Sequence, residues 1–426
     1  MAQRRAVAVI GGGWAGLAAA VEATRRGAQV SLFEMAPQLG GRARAIVAGD
    51  GLVLDNGQHI CIGAYGATLR LLQTVGIEES SAFLRTRLCL VDADGAGLRL
   101  GEGPPFLAFA GAVARHPVWP WRSKLALMRL AAAWLLARFR CPPARTVAAL
   151  TDGLPQDVRE ELIEPLCVAA LNTPASDASG QVFLRVLGDA LFGGRGSADL
   201  LLPRVGLGEL LPTPAARWLA AAGAQVRLRH RVEAVESDGA SWRVDGERFD
   251  GVVLAASPIE SARLARPVNP GWADAAAGLH YEPIVTVYLH SEGAALPQPM
   301  LALRHGAGRP AQFVFDRGQL GGPAGLLAFV ISGAQAWVEA GAERTVQATR
   351  RQAEATLGPW LRAPLETIRS VTERRATIRC TPMLQRPWMA IGPNLLAAGD
   401  LVEGPYPSTL EGAVRAGIEA ARGLDL

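Results

Sequence analysis

Gly11, Gly13 and Gly16 stand in the run Gly11-Gly12-Gly13-Trp14-Ala15-Gly16, directly after the apolar stretch Val7-Ala8-Val9-Ile10. Glycine at the first position permits a tight turn, and at the second it lets the backbone approach a pyrophosphate. At the third it lets a helix pack closely on the preceding strand. An alanine-rich helical stretch follows to Arg26, Gly27 stops it, and Val30 to Phe33 reads as the next strand, ended by Glu34. The helix start aims free N–H groups and the positive end of its dipole at phosphates. Glu34, 23 positions after Gly11, is placed to hydrogen-bond a ribose hydroxyl. A glycine-rich turn alone is common. Set between a strand and a helix, with an acid closing the next strand, it is the context of a dinucleotide site. Gly11, Gly12, Gly13, Ala15, Gly16 and Glu34 are its expected ligands at this end of the chain.

FAD and NAD share that fingerprint, so the choice between them rests on residues further along. Pro37-Gln38-Leu39-Gly40-Gly41-Arg42-Ala43-Arg44 adds a second phosphate-friendly turn, with Gly41 in it and Arg42 as a bidentate donor. An NAD unit has no need of it. Asp55-Asn56-Gly57-Gln58-His59 is a polar turn lying where the chain would pass a flavin ring, so Gly57, Gln58 and His59 join the expected ligands. Near the other end, Leu395 to Ala398 is a short apolar strand closed by Gly399-Asp400, and Asp400 suits a ribityl or pyrophosphate hydrogen bond. After the loop Leu401 to Pro407, Ser408 with Glu411 has the form of a capping box that starts a helix near Thr409. A helix start there would direct N–H groups at the pyrimidine edge of a flavin, where negative charge grows on reduction. Together these features favour FAD over NAD.

Positioning such residues takes an α/β fold. The expected architecture is a Rossmann-type FAD-binding domain assembled from 1–64, 203–264 and 386–426, with a discontinuous α+β substrate domain from 65–202 and 265–385. In the middle piece, Ala224 to Leu228 and Arg231 to Val235 read as strands, and Val252 to Ala256 as a buried strand ended by Pro258.

Composition narrows the function classes. The chain has 426 residues, half of them hydrophobic, and 48 glycines, which suits a globular α/β protein of two domains. A net charge of +4, from 43 basic and 39 acidic residues, is too even to argue for nucleic acid and leaves attraction to anionic lipid open. Lys124 is the only lysine, which removes most candidates for lysine chemistry. The five cysteines are scattered without zinc or dithiol spacing, so no metal is expected, and a reducing cytoplasm is. No signal peptide or bilayer-length apolar run is evident, the nearest being Leu125 to Ala137, interrupted by Arg129. Trp119 and Trp121, beside Arg122 and Lys124 and ahead of that apolar helix, have the composition of a monotopic membrane contact near 117–137. Packing of the helix inside the domain would explain its apolar part equally well. The expected location is the cytoplasm, with peripheral contact at the inner face of the cytoplasmic membrane.

The chain resembles the flavin amine oxidase and phytoene desaturase superfamily, and within it the squalene-associated branch, the hydroxysqualene dehydroxylases. Gly11 to Gly16, Gly40-Gly41-Arg42, Asp55 to His59, Gly399-Asp400 and Tyr406-Pro407-Ser408-Thr409-Leu410-Glu411-Gly412-Ala413 carry the superfamily resemblance. Glu164 to Cys167, Ala170 to Thr173 and Leu202-Pro203-Arg204 carry that to the branch. The resemblance implies that Val232 contacts the adenine through its backbone and Glu34 the ribose, and that Gly57 to His59 and Pro407, Ser408 and Thr409 line the flavin. It further implies a long apolar isoprenoid substrate, hydroxysqualene, reduced to squalene by reduced FAD in the route to hopanoids. Hydroxide is a poor leaving group, so an allylic alcohol needs a proton donor as it departs. His59 and Tyr406 are the candidates nearest the expected flavin, and Glu403 is a third. His59 would serve equally as a structural hydrogen-bonding group, and Tyr406 as packing against the ring. Three other readings stay open: a carotenoid-type desaturase running the flavin in the opposite direction, an amine oxidase, and a flavin-fold scaffold without catalysis. An amine oxidase of this fold commonly places a lysine near the flavin, and here the only lysine is far from every flavin motif. With no second dinucleotide fingerprint, electrons are expected from a partner protein.

Overall fold

A computed structural model of the chain describes residues 4–48 and 51–425. Apolar residues run without interruption through Val7 to Val9 and Val252 to Leu254, which are fully buried, as strands covered on both faces require. These strands sit at the centre of a six-stranded sheet in the order Gln225–Leu228, Gln29–Glu34, Ala6–Ile10, Gly251–Leu254, Leu395–Ala397, Ala390–Gly392. All neighbours are parallel except the last pair. Pieces from the beginning, middle and end of the chain therefore meet in one sheet.

The helix Trp14–Arg25 covers one face and is itself covered by the helix Leu410–Gly423. Gly417 makes that second contact possible, because a Cβ there would lie 2.1 Å from the Ala15 carbonyl oxygen. An antiparallel meander of Val235–Asp238, Ser241–Val244 and Glu247–Phe249 joins Gly251–Leu254 in a second core cluster. Here the strand expected over Arg231 to Val235 is corrected: pairing begins only at Val235. Arg229 adopts a left-handed φ of 57° just upstream. The Asp245 carboxylate then accepts the Glu233 and Ala234 N–H groups, satisfying them without a strand partner.

A five-stranded antiparallel sheet, ordered Met300–Ala302, Phe313–Asp316, Leu326–Ile331, Tyr281–His290, Glu366–Ile378, forms the second layer. A small sheet pairs Leu200–Pro203 with both Cys61–Ile62 and Phe83–Thr86, so backbone hydrogen bonds cross the points where the chain leaves and rejoins the six-stranded sheet.

Helices dominate 105–192. On Trp121–Leu136, Ser123, Leu127, Ala131 and Trp134 are buried. Trp119 is buried too, at 4% exposure, which corrects its expected place at a membrane surface. Its indole N–H donates to Glu161 at 2.7 Å and its ring stacks on His116 at 3.9 Å, so both its polar and apolar parts are used internally. Trp121 is 67% exposed. Among the described residues no helix is long and apolar enough to cross a membrane, and no His, Cys, Asp and Glu cluster could hold a metal.

Candidate functional site

The glycine loop is sterically compulsory. Gly11 has φ 110°, and a Cβ there would lie 2.5 Å from the Ala255 carbonyl oxygen. A Cβ at Gly16 would lie 1.8 Å from the Gly11 carbonyl oxygen, so only glycine lets this helix start against its own strand. Gly13 is different: a Cβ there would meet nothing nearer than Gly41 Cα at 3.8 Å, an ordinary van der Waals contact, so crowding does not demand glycine at this position. The second glycine turn abuts the first, with Gly13 and Gly40 bridged in parallel and the Gly40 N–H donating to the Gly12 carbonyl at 2.8 Å. The Glu34 carboxylate accepts the Gly12 N–H at 2.6 Å and the Ala36 N–H at 2.7 Å, next to the loop. Ala15 is buried in the first helical turn, beneath Gly417.

Arg42 links this end to the C-terminal strand. Its Nη2 donates to Asp400 Oδ1 at 2.5 Å and its Nη1 to the Ala376 carbonyl at 2.9 Å. Burial opposes its charge, and Asp400 with Tyr281 and Glu373 outweighs that, so the guanidinium is held above its ordinary pKa. Asp400 follows Gly399, whose φ is 131°. Arg386 donates to the carbonyls of Asp400 and Val402 and holds that loop.

Gly57, Gln58 and His59 lie alongside. Asn56 Nδ2 donates to the Arg42 carbonyl at 2.8 Å, tying their turn to the arginine. Gly57 has φ 94°, and Gln58 Oε1 accepts from Arg317 at 3.0 Å. His59 Nδ1 lies 3.2 Å from the Gly57 carbonyl. Burial first, and Arg42 with it, lowers the His59 pKa, so its neutral form is favoured and Nδ1–H is the donor to Gly57.

The C-terminal helix departs from the capping box expected of it. Ser408, at φ 57°, exchanges hydrogen bonds with Ile378 instead, accepting its N–H at 2.8 Å and donating to its carbonyl at 3.1 Å. Thr409 caps the helix, accepting the Gly412 N–H at 2.9 Å. Glu411 is turned away to the helix Gly66–Thr74, where it accepts the Ala67 and Thr68 N–H groups at 3.0 and 2.9 Å and the Thr68 hydroxyl at 2.8 Å. Pro407, just ahead of Ser408, is buried. Tyr406 stacks under Arg415 at 4.9 Å and lies against Asp189. Val232 is buried, with its carbonyl accepting from Arg263 at 2.6 Å; the His230 N–H nearby donates to the Glu34 carbonyl.

The structure thus gathers both glycine turns, Glu34, Arg42, Asp400 and the 57–59 turn into one connected network. It adds a residue that sequence reasoning missed. Tyr281, at the start of Tyr281–His290, faces Arg42 and Asp400 with a buried hydroxyl that has no hydrogen-bond partner among the described residues. Burial pushes its pKa up to about 12, so the hydroxyl keeps its proton. No glycine or charge pattern marks it in the sequence. A protonated hydroxyl without a bonding partner among the described residues, next to an arginine on abutting glycine turns, fits a site made for an anionic or polyhydroxyl ligand.

The family model for flavin containing amine oxidoreductases matches residues 14–424. The chain belongs to that family. It is an FAD-dependent oxidoreductase, and the two abutting glycine turns, Arg42 and the Tyr281 hydroxyl fit the dinucleotide that this family carries. The chain is 30% identical over 440 residues to the hydroxysqualene dehydroxylase of Rhodopseudomonas palustris, covering 98% of this chain and 97% of that one. It is 33% identical to the zeta-carotene desaturase of Synechocystis over 96 residues, covering 22% of this chain and 19% of that one. A solved oxidoreductase from Methanosarcina mazei shares the fold at a TM-score of 0.74 and 14% identity, with 98% of this chain and 99% of that chain covered.

Proposed function

We propose that this flavoenzyme reduces hydroxysqualene to squalene. The observation that carries the reading is the end-to-end similarity to the Rhodopseudomonas palustris hydroxysqualene dehydroxylase, whereas the desaturase similarity is confined to a short stretch. Bound in its reduced form, FAD would supply the hydride that the allylic carbon takes, and the hydroxyl would take one proton and leave as water.

The chain's own residues divide the remaining work. Gly11 to Gly13, Ala15, Gly16 and Gly41 offer backbone to the pyrophosphate, and Arg42 and the Tyr281 hydroxyl offer side-chain donors. Glu34 accepts from the ribose, Val232 meets the adenine through its backbone, and Asp400 takes the ribityl side. Gly57, Gln58, His59, Pro407, Ser408 and Thr409 line the ring. Of His59, Tyr406 and Glu403, Tyr406 is favoured. His59 is held neutral, and a neutral imidazole N–H is a far weaker acid than a phenol. Burial and then Asp189 hold the Tyr406 phenol above its ordinary pKa, so it stays protonated through neutral pH, with Arg415 fixing its ring.

The same reading assigns 1–64, 203–264 and 386–426 to the cofactor domain and 65–202 with 265–385 to the substrate domain. It places the enzyme in the cytoplasm, at the inner face of the cytoplasmic membrane, with electrons arriving from a partner. Lys124 donates to the Ala114 carbonyl on the helical segment, remote from the glycine turns, which weighs against amine oxidation.

The test is to incubate the FAD-loaded protein anaerobically with hydroxysqualene and a chemical reductant, and separately with phytoene and an oxidant. Squalene in the first tube is the expected product. Desaturated polyene in the second tube, with no squalene in the first, would replace this function with the desaturase one.

A further inference from the structure

Between Glu102 and Asp152 the chain has no acidic residue and seven basic ones, Arg115, Arg122, Lys124, Arg129, Arg138, Arg140 and Arg145. Elsewhere arginines are generously paired, as in Arg85 with Glu79 and Asp199, or Arg263 with Glu233 and Glu260. Among the described residues none of these seven is within ion-pair distance of a carboxylate. Asp157 and Glu161, on the segment packed against them, are occupied on the buried side by the Ser123 hydroxyl and the Trp119 indole.

The helix Trp121–Leu136 carries these charges beside exposed apolar side chains. Trp121, Leu125, Ala132 and Leu136 recur at helical spacing on one face, opposite buried Ser123, Leu127, Ala131 and Trp134. Trp121 is 67% and Leu136 86% exposed, and Val118 just before the helix is 63% exposed. Arg122 and Arg129 flank the strip, and Arg122 lies 5.8 Å from the Trp121 ring centroid. Whatever covers this strip must accept apolar side chains and cations together. Acyl chains and anionic headgroups accept both parts at once.

We propose that the Trp121–Leu136 helix is a docking face for an anionic phospholipid bilayer, lying in the plane of the interface. The buried side of the same helix lines a narrow apolar crevice of about 30 Å³ with Phe106, Phe139, Leu166 and Phe192. The docking does not rest on the isoprenoid substrate proposed above.

The experiment is flotation of the FAD-loaded protein with vesicles of phosphatidylcholine alone, or of phosphatidylcholine and phosphatidylglycerol in equal parts. Binding is expected to be stronger to the anionic vesicles by about tenfold or more and to weaken with added salt. Trp121→Ser with Leu125→Ser and Leu136→Ser should abolish flotation, while unfolding temperature and flavin content stay unchanged. Arg122→Gln with Arg129→Gln should remove the preference for the anionic vesicles. Equal binding of the wild-type protein to both vesicles, absence of binding to either, or undiminished flotation of the triple-serine variant overturns the proposal. Turnover of detergent-dispersed hydroxysqualene by that variant separates the two readings: retained turnover with lost flotation upholds docking, whatever the substrate proves to be.

Discussion

Replacing Tyr281 with phenylalanine should move two properties in opposite directions. The Tyr281 hydroxyl is buried, protonated and without a hydrogen-bond partner among the described residues, beside Arg42 and Asp400. An unsatisfied buried hydroxyl costs about 1–3 kcal/mol, and phenylalanine of the same shape recovers it. For a 426-residue chain unfolding as one unit, the entropy of unfolding is roughly 0.9 kcal/mol per kelvin, so the apoprotein should melt about 1–3 °C higher. With FAD present the hydroxyl instead donates to a charged oxygen, a bond worth about 1.5–3 kcal/mol, and its loss weakens binding about 10- to 150-fold. The apoprotein is measured by differential scanning calorimetry and the affinity by titration of flavin fluorescence. A variant whose FAD affinity stays within about twofold of wild type, or whose apoprotein melts lower, would refute the assignment of Tyr281 to the cofactor.

Three further outcomes are expected. Glu411→Ala strips the acceptor from two N–H groups and a hydroxyl at the start of Gly66–Thr74, and should cost about 3–5 kcal/mol, seen as a melting point roughly 4 °C lower. A change under about 1 °C would mean that water replaces the carboxylate. Because burial lowers the His59 pKa, the unfolded chain takes a proton that the folded chain refuses, and stability is lost as pH falls through about 6.5. His59→Asn should flatten that decline by up to about 1.4 kcal/mol per pH unit, and parallel stability–pH curves for the two proteins would contradict it. Tyr406→Phe should slow reoxidation of the reduced enzyme by hydroxysqualene about 10²-fold in single turnover without loss of flavin; an unchanged rate moves the proton donor elsewhere.

The glycine turns were legible because each of their requirements is local. A positive φ at Gly11, or a helix start tight enough that Gly16 touches the Gly11 carbonyl, excludes other residues whatever the rest of the chain does. Ser408 and Glu411 had the spacing of a capping box, but a hydroxyl and a carboxylate bond whatever the fold brings to them. Ile378 and the Ala67–Thr68 amides, 30 and more than 340 residues away, were the partners on offer. Trp119 and Trp121 are two residues apart in sequence, and packing separates them: Glu161 and His116 hold the Trp119 indole in the core, while Trp121 stays exposed.

Backbone conformation and uninterrupted apolar runs were enough to specify a dinucleotide-binding sheet, since both act within a few residues of their cause. Burial, long-range pairing and the electrostatics that follow were settled by packing. Arg42 owes its raised pKa to Asp400, Tyr281 its orphaned hydroxyl to a strand from the other layer, and the Trp121–Leu136 helix its exposed apolar strip to which side its neighbours cover. Each depends on atoms distant in the chain, and a hydrogen bond or a desolvation energy has no magnitude until those atoms are within a few ångströms.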